Sequence, residues 1–293
     1  MNSSPVSELS DVHVSIVGLG LMGGSLAIAL RPHVKKLTAV ELDPNARRVL
    51  LERQMADEIT GDLRRGIAQA DLVVLATPVG TILQIIEQAP RLRPEGFMLL
   101  DLGSTKGQIC AAMEALPAQF AAIGGHPMCG KESAGLKFAE ETLYRNQTFV
   151  LCRTGRTSEQ LERVAVSILD AIGAKPLLLE PQKHDRIVAL VSHLPYFVSS
   201  ALMQQAALAA ADDERVWSVS ASGFRDSTRL SGSDPHMLQE ITITNRAAIV
   251  QALRSHASNI EALIALLESE DDSALRAWLQ ARQAEHGKYR DGR

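Results

Sequence analysis

Two stretches of this 293-residue sequence set side chains that can move protons among glycines. They are Asp101-Leu102-Gly103-Ser104-Thr105-Lys106-Gly107 and Gly124-Gly125-His126-Pro127-Met128-Cys129-Gly130-Lys131-Glu132. Each follows an apolar run, at 97–102 and 120–123, that reads as a β-strand. The glycines let backbone crowd a ligand and leave Ser104 and His126 at the carboxyl end of a strand. An imidazole there is a proton acceptor that works near neutral pH. Cys129 has no second histidine near it in sequence, so it reads as a small packing residue rather than a nucleophile.

Further polar groups sit in apolar surroundings in the second half, in Ser192-His193-Leu194-Pro195-Tyr196 and Gly223-Phe224-Arg225-Asp226-Ser227-Thr228-Arg229. Arg225 and Arg229 are four apart, so on a helix they share a face. A guanidinium fork matches a carboxylate in two places at once.

The third constellation, Gly18-Leu19-Gly20-Leu21-Met22-Gly23, directly follows the apolar run 12–17 and opens a helical pattern over 21–30. In such a strand–loop–helix the first glycine permits the turn, the second admits a pyrophosphate to the backbone, and the third lets helix and strand pack closely. The helix N-terminus adds unpaired N–H groups and partial positive charge. Glu41, 23 residues past Gly18, ends the second apolar run. A carboxylate there accepts hydrogen bonds from a ribose and repels a 2′-phosphate, so NAD is expected rather than NADP. Thr77 and Pro78 stop the strand 72–76 at the same carboxyl edge and are expected to line the cofactor with the glycine loop.

The elements that position these groups follow from periodicity. Apolar runs at 12–17, 37–41, 72–76, 97–102, 120–123, 148–152 and 175–179 alternate with helical patterns, including 21–30 and 158–172. That alternation predicts an α/β domain built on a doubly wound parallel sheet. After Glu180-Pro181 only helical periodicity continues, over 184–210, 213–224, 234–267 and 271–286. The expectation is a Rossmann-type domain over 1–180 and an all-helical domain over 181–293.

Composition restricts the functions further. Hydrophobic residues make up 46% and charged residues 22%, which excludes a disordered or low-complexity chain. A net charge of −4 offers no basic excess for a phosphate backbone, so nucleic acid is not an expected partner. Three cysteines without zinc-type spacing read as reduced thiols, and no metal is expected. Residues 1–11 lack the pattern of a signal peptide, which points to the cytoplasm. The stretch 188–211 has no charged residue and is long enough to cross a bilayer. It carries Ser192, His193, Pro195, Ser199, Gln204 and Gln205, however, so it reads as a helix covered by another domain or subunit, not by lipid.

Taken together, G-L-G-L-M-G, D-L-G-S-T-K-G, G-G-H-P-M-C-G-K-E, S-H-L-P-Y and G-F-R-D-S-T-R-L resemble the prephenate/arogenate dehydrogenase family of tyrosine biosynthesis, over about 12–267. The resemblance implies a Rossmann domain joined to a helical dimerisation domain, with the active site between them. It implies that His126 accepts the proton of the substrate's ring 4-hydroxyl as hydride passes to NAD, and that Ser104 orients both that histidine and the hydroxyl. Arg229 matches the arginine that binds substrate carboxylate, and His193 the helical-domain histidine near the substrate. Arg225 stands where relatives carry a basic residue, and Glu132 matches an acid proposed to gate the site. Leu238 departs from the pattern, because some prephenate-using relatives have Trp there; the choice between prephenate and arogenate therefore does not transfer. No further α/β pattern follows the helices, so the fused regulatory domain of some relatives is not expected. A homodimer through the helical domain is.

Overall fold

The computed structural model describes residues 8–131 and 135–291. Its first half alternates strands and helices: β1 (His13–Val17), α1 (Leu21–Leu30), β2 (Lys36–Val40), α2 (Pro44–Glu52), β3 (Glu58–Thr60), α3 (Leu63–Ile67), β4 (Leu72–Leu75), α4 (Val79–Leu92), β5 (Met98–Asp101), α5 (Gly107–Glu114), β6 (Ala121–Pro127), β7 (Thr148–Arg153), α6 (Glu159–Ala171) and β8 (Lys175–Leu178). The helices that follow are α7 (Pro181–Val188), α8 (Leu194–Asp212), α9 (Arg215–Ser218), α10 (Ser222–Thr228), α11 (Pro235–Glu268) and α12 (Asp272–Asp291). The chain divides into two compact units, 1–246 and 247–293.

The strands form one sheet in the order β3-β2-β1-β4-β5-β6-β7-β8. Its first six positions follow the 3-2-1-4-5-6 order of dinucleotide-binding sheets, with the order reversing between β1 and β4. Side chains alternate across the sheet. Leu72 and Val74 join one apolar layer with Leu26 and Leu30 of α1 and Leu161 and Ile168 of α6. Val73 and Leu75 join another with Ile82 and Ile86 of α4 and Ile109 and Met113 of α5. Burial on both faces explains why these strands read as continuous apolar runs. The helices show the complementary spacing: α4 buries Val79, Ile82, Ile85, Ile86 and Ala89 along one stripe.

The structure departs from the sequence expectation at several places. β3 is an additional short strand, paired through Thr38↔Glu58 to Val40↔Thr60. β7 runs antiparallel to β6, with His126 opposite Val150, and β8 runs parallel to β7. A parallel return needs a crossover helix. The described part of the link from β6 to β7 contains no helix longer than the 3-10 turn Leu136–Phe138, and the chain comes back in the opposite direction.

The expected helix 184–210 is instead α7 and α8 joined by a π-helical turn, Ala189–His193. Residues 213–224 hold two short helices, α9 and part of α10. α11 leaves helical geometry at Asn245 (φ −129°, ψ 23°). The run Pro181–Asp212 is long and apolar enough to cross a membrane by composition. It nevertheless buries Asp185 and His193 against the folded unit, an arrangement foreign to a lipid-facing helix. Leu190, Val191 and Leu208 on the same run are exposed in the single chain. In the second unit Ile260, Ile264 and Leu267 are exposed as well.

Candidate active site

The glycine loop has the geometry that its spacing predicts. Gly18 adopts φ +89°, a conformation costly for any residue with a Cβ, and its N–H donates to Val40 O at 2.9 Å. A Cβ on Gly23 would lie 2.0 Å from Gly18 O, so only glycine lets α1 start this close to β1. A Cβ on Gly20 would meet nothing within 4 Å, so open space lies before the loop. Gly20 caps α1 without a side-chain hydrogen bond, and the first N–H groups of the helix face outward from Leu21, Met22 and Gly23. Just past β2, Glu41 accepts the Leu19 N–H at 2.8 Å and the Asp43 N–H at 3.0 Å. After β4, the Thr77 hydroxyl is buried without a hydrogen-bond partner among the described residues, and Pro78 caps α4. Free helix N–H groups, a carboxylate at the end of β2 and an unsatisfied hydroxyl are a donor and acceptor set that fits a dinucleotide.

The proton-handling groups gather on the same carboxyl edge. Asp101, the last residue of β5, is fully buried and paired with the equally buried ammonium of Lys106. Its carboxylate also accepts N–H bonds from Gly103 (2.7 Å) and Gly125 (3.1 Å), and Lys106 donates to Gly125 O (2.7 Å). A Cβ on Gly125 would strike Asp101 O at 2.5 Å; this glycine lets β6 lie tight against that pair and fixes where His126 emerges. Burial pushes the Asp101 carboxyl upward against the opposing pull of Lys106.

His126 is half-buried, and its Nδ1 lies 2.8 Å from Nε2 of His184 on α7. His184 Nδ1 in turn lies 2.8 Å from Asp185 Oδ1. Asp185 also accepts the N–H groups of Lys106 (2.7 Å) and Gly107 (2.8 Å) at the start of α5. Burial raises the Asp185 carboxyl, but the hydrogen bonds from His184 and these two N–H groups outweigh it and hold it low. Burial is the main cause that holds His126 well below the usual imidazole range, and the nearness of His184, Lys106 and His193 adds to it.

His193 is buried, and burial holds it down at about 4. Asn245 reaches it at 3.4 Å and donates to Asp185 O at 2.8 Å. The π turn makes this convergence possible. Eight residues of regular helix rotate a side chain roughly 80° off its starting face, whereas one turn with the wider i→i+5 spacing brings Asp185 and His193 back to one side.

Ser104 is half-buried in the turn after β5, but the ring partner of His126 is His184, and Ser104 makes no side-chain hydrogen bond among the described residues. Arg225 is exposed on α10 with a loose 3.8 Å contact to Asp226. Arg229 is exposed just past that helix, where it opens a 3-10 turn. Glu132 lies outside the described residues. Cys129 is partly buried and its thiol is pushed up to about 11 by burial, in keeping with a packing residue. Leu238 lines a groove with Tyr196, Phe197 and Arg246, one helical turn along from His193. The sequence reading gave no separate role to Asp101 and Lys106 within their cluster and missed His184, Asp185 and Asn245. For His184 and Asp185 the signal was a His-Asp pair early in a helix, and such a pair ordinarily faces water.

Several known proteins are similar to this chain. A family model described as the prephenate dehydrogenase nucleotide-binding domain matches residues 26–178, and one described as the prephenate dehydrogenase dimerization domain matches 180–281. Prephenate dehydrogenase of Bacillus subtilis is 28% identical over 98% of this chain and 77% of its own length. Among solved structures, Synechocystis arogenate dehydrogenase is 31% identical with a TM-score of 0.81, covering 94% of this chain and 99% of that one. Prephenate dehydrogenase from A. aeolicus, solved with hydroxyphenyl propionate and NAD+, is 26% identical with a TM-score of 0.88, covering 96% and 99%. With both domain models matched in tandem across the sheet and the helices that hold this histidine cluster, the chain belongs to the prephenate dehydrogenase family.

Proposed function

We propose that the chain catalyses NAD-dependent oxidative decarboxylation of prephenate to 4-hydroxyphenylpyruvate, of arogenate to tyrosine, or of both. The observation that carries this reading is the His126 imidazole: uncharged, half-buried, and presented on the sheet edge that also bears the dinucleotide loop. NAD supplies the hydride acceptor when bound along Gly18, Gly20, Leu21, Met22 and Gly23, with Glu41 toward the adenosine ribose and Thr77 and Pro78 beside it.

The residues of the chain do the rest. His126 takes the proton of the 4-hydroxyl as the ring carbon becomes a ketone. The carbon–carboxylate bond then breaks, CO₂ leaves, and the electron pair restores the aromatic ring and ends on the oxygen, which takes the proton back. Ser104 stands beside this hydroxyl; Arg229, with Arg225, receives substrate carboxylate; His193 borders the substrate; Glu132 matches, by resemblance, an acid proposed to gate the site. General-base help of this kind contributes about 10²- to 10⁴-fold in rate.

In this reading 1–180 binds NAD, and 181–293 completes the substrate site and forms a homodimer through apolar faces such as that of Leu190, Val191 and Leu208. The enzyme works in the cytoplasm, without nucleic acid or membrane as partner. Incubation of the purified protein with NAD+ and each substrate, following NADH and CO₂, tests the proposal. NADH with one or both is expected, and NADH with neither overturns it.

A further inference from the structure

We infer that His184 and Asp185 are positioning residues for this reaction: Asp185 orients His184, and His184 holds His126 in the one tautomer whose Nε2 is a base, then takes up the proton that His126 passes on. The inference rests on the function proposed above.

The direction of each hydrogen bond follows from what the groups can do. Asp185 already accepts the N–H groups of Lys106 and Gly107, and an ionised carboxylate can only accept, so His184 Nδ1 carries a hydrogen. An uncharged imidazole that carries its hydrogen on Nδ1 has its lone pair on Nε2. The group facing that lone pair at 2.8 Å is His126 Nδ1, which must donate. His126 therefore carries its hydrogen on Nδ1 and keeps Nε2 open. That ring is oriented by a two-residue chain anchored on α5.

That anchor is tightly built. A Cβ on Gly107 would lie 2.8 Å from Asp185 Oδ2, so the glycine is what lets the carboxylate reach both N–H groups.

The same chain can hold a proton. When Nε2 of His126 takes the hydroxyl proton, its Nδ1 hydrogen can pass to His184 Nε2. His184 becomes an imidazolium whose Nδ1–H stays on Asp185, and His126 returns to neutral. The step reverses when the phenolate oxygen reclaims its proton as CO₂ leaves, so no net proton is gained or lost.

The groups packed around the pair leave Asp185 as the stabilising charge. From the β5 side, Asp101 is already neutralised by Lys106. From the start of α8, His193 is held neutral by burial, and from α11 the neutral Asn245 donates to the Asp185 carbonyl. Across the sheet His126 faces the apolar Val150.

The test has two arms on the full-length protein. In the first, long-range ¹H–¹⁵N NMR of the histidine-labelled protein without substrate, assigned with His126→Asn, reads the ring tautomer directly. A hydrogen on Nδ1 of His126 is expected at neutral pH; a hydrogen on Nε2 overturns the inference. In the second arm, Asp185→Asn should lower kcat by about 10²-fold or more while substrate KM stays within about threefold. His184→Gln keeps an acceptor for Nδ1–H but cannot take its proton, so it should lose about 10-fold. Near-UV circular dichroism checks that each variant is folded. A folded Asp185→Asn enzyme with kcat within about threefold of the parent overturns the inference. Absence of NADH from the parent with either substrate would sink the functional reading, while the tautomer, measured without substrate, still decides this one.

Discussion

Asp185 binds the first turn of α5 through two backbone N–H groups while its neighbour His184 lies 2.8 Å from His126, 58 residues away in sequence. One His-Asp pair thus links the helix that follows the glycine-flanked Ser104 loop to the strand that presents the His126 imidazole. Four predictions follow from this arrangement and from the loop on the other side of the sheet.

His126→Asn and Arg229→Ala should separate turnover from binding. Loss of the base should lower kcat by about 10²- to 10⁴-fold with little change in substrate KM. Loss of a carboxylate-binding arginine should chiefly raise KM. Steady-state kinetics with prephenate and arogenate measure both; a normal kcat for His126→Asn removes that residue from the role of base.

Lys106→Met should destabilise the fold by about 3–5 kcal/mol, because it leaves the fully buried Asp101 carboxylate without its cation. The double variant with Asp101→Asn should recover much of the loss, since the charge to be compensated is gone. Urea unfolding at fixed protein concentration reads both, and a single-variant loss below about 1 kcal/mol would deny the pair a stabilising role.

The histidines set a pH dependence. His193 is held at about 4 and His126 well below 6.5, so the unfolded chain binds more protons than the folded one below the ordinary imidazole range. Stability is therefore full above about pH 6.5 and falls as pH drops toward 4, by about 1.4 kcal/mol per pH unit for each histidine kept neutral. Asp185, held low, adds its own loss only at still lower pH. Thermal melts from pH 4 to 8 should show this slope, reduced in His193→Asn; an unchanged slope would assign it to other groups.

Glu41 should set cofactor choice. Its carboxylate is fixed by the Leu19 and Asp43 N–H groups at the end of β2, where a 2′-phosphate would meet negative charge. NAD+ should be strongly preferred, and Glu41→Ser should narrow the preference by raising the efficiency with NADP+. Equal use of both cofactors by the parent protein would refute the role given to Glu41.

The glycine loop was legible because its parts are contiguous. A strand, a turn that needs φ +89° at Gly18 and a helix that needs no Cβ at Gly23 are all written within a dozen residues. His126 was legible for a related reason: Gly-Gly before a histidine at a strand end marks a place where backbone is crowded and a side chain is put forward. The direction of β7 was not legible, since it depends on whether the intervening link forms a crossover helix. The kink at Asn245 carries no local code either.

Local sequence by itself determined the alternation of strands and helices, the glycine loop and the place of His126 at a strand end, because each rests on neighbours a few residues away. Only the tertiary structure decided what the His126 ring touches. Asp101 and Lys106 read as members of the polar cluster that closes a strand, and His184 and Asp185 as the start of a helix. Docking α7 on α5, with the π turn rotating His193 to the same side, removes these groups from water. Once buried they must satisfy one another, and that requirement makes them a site.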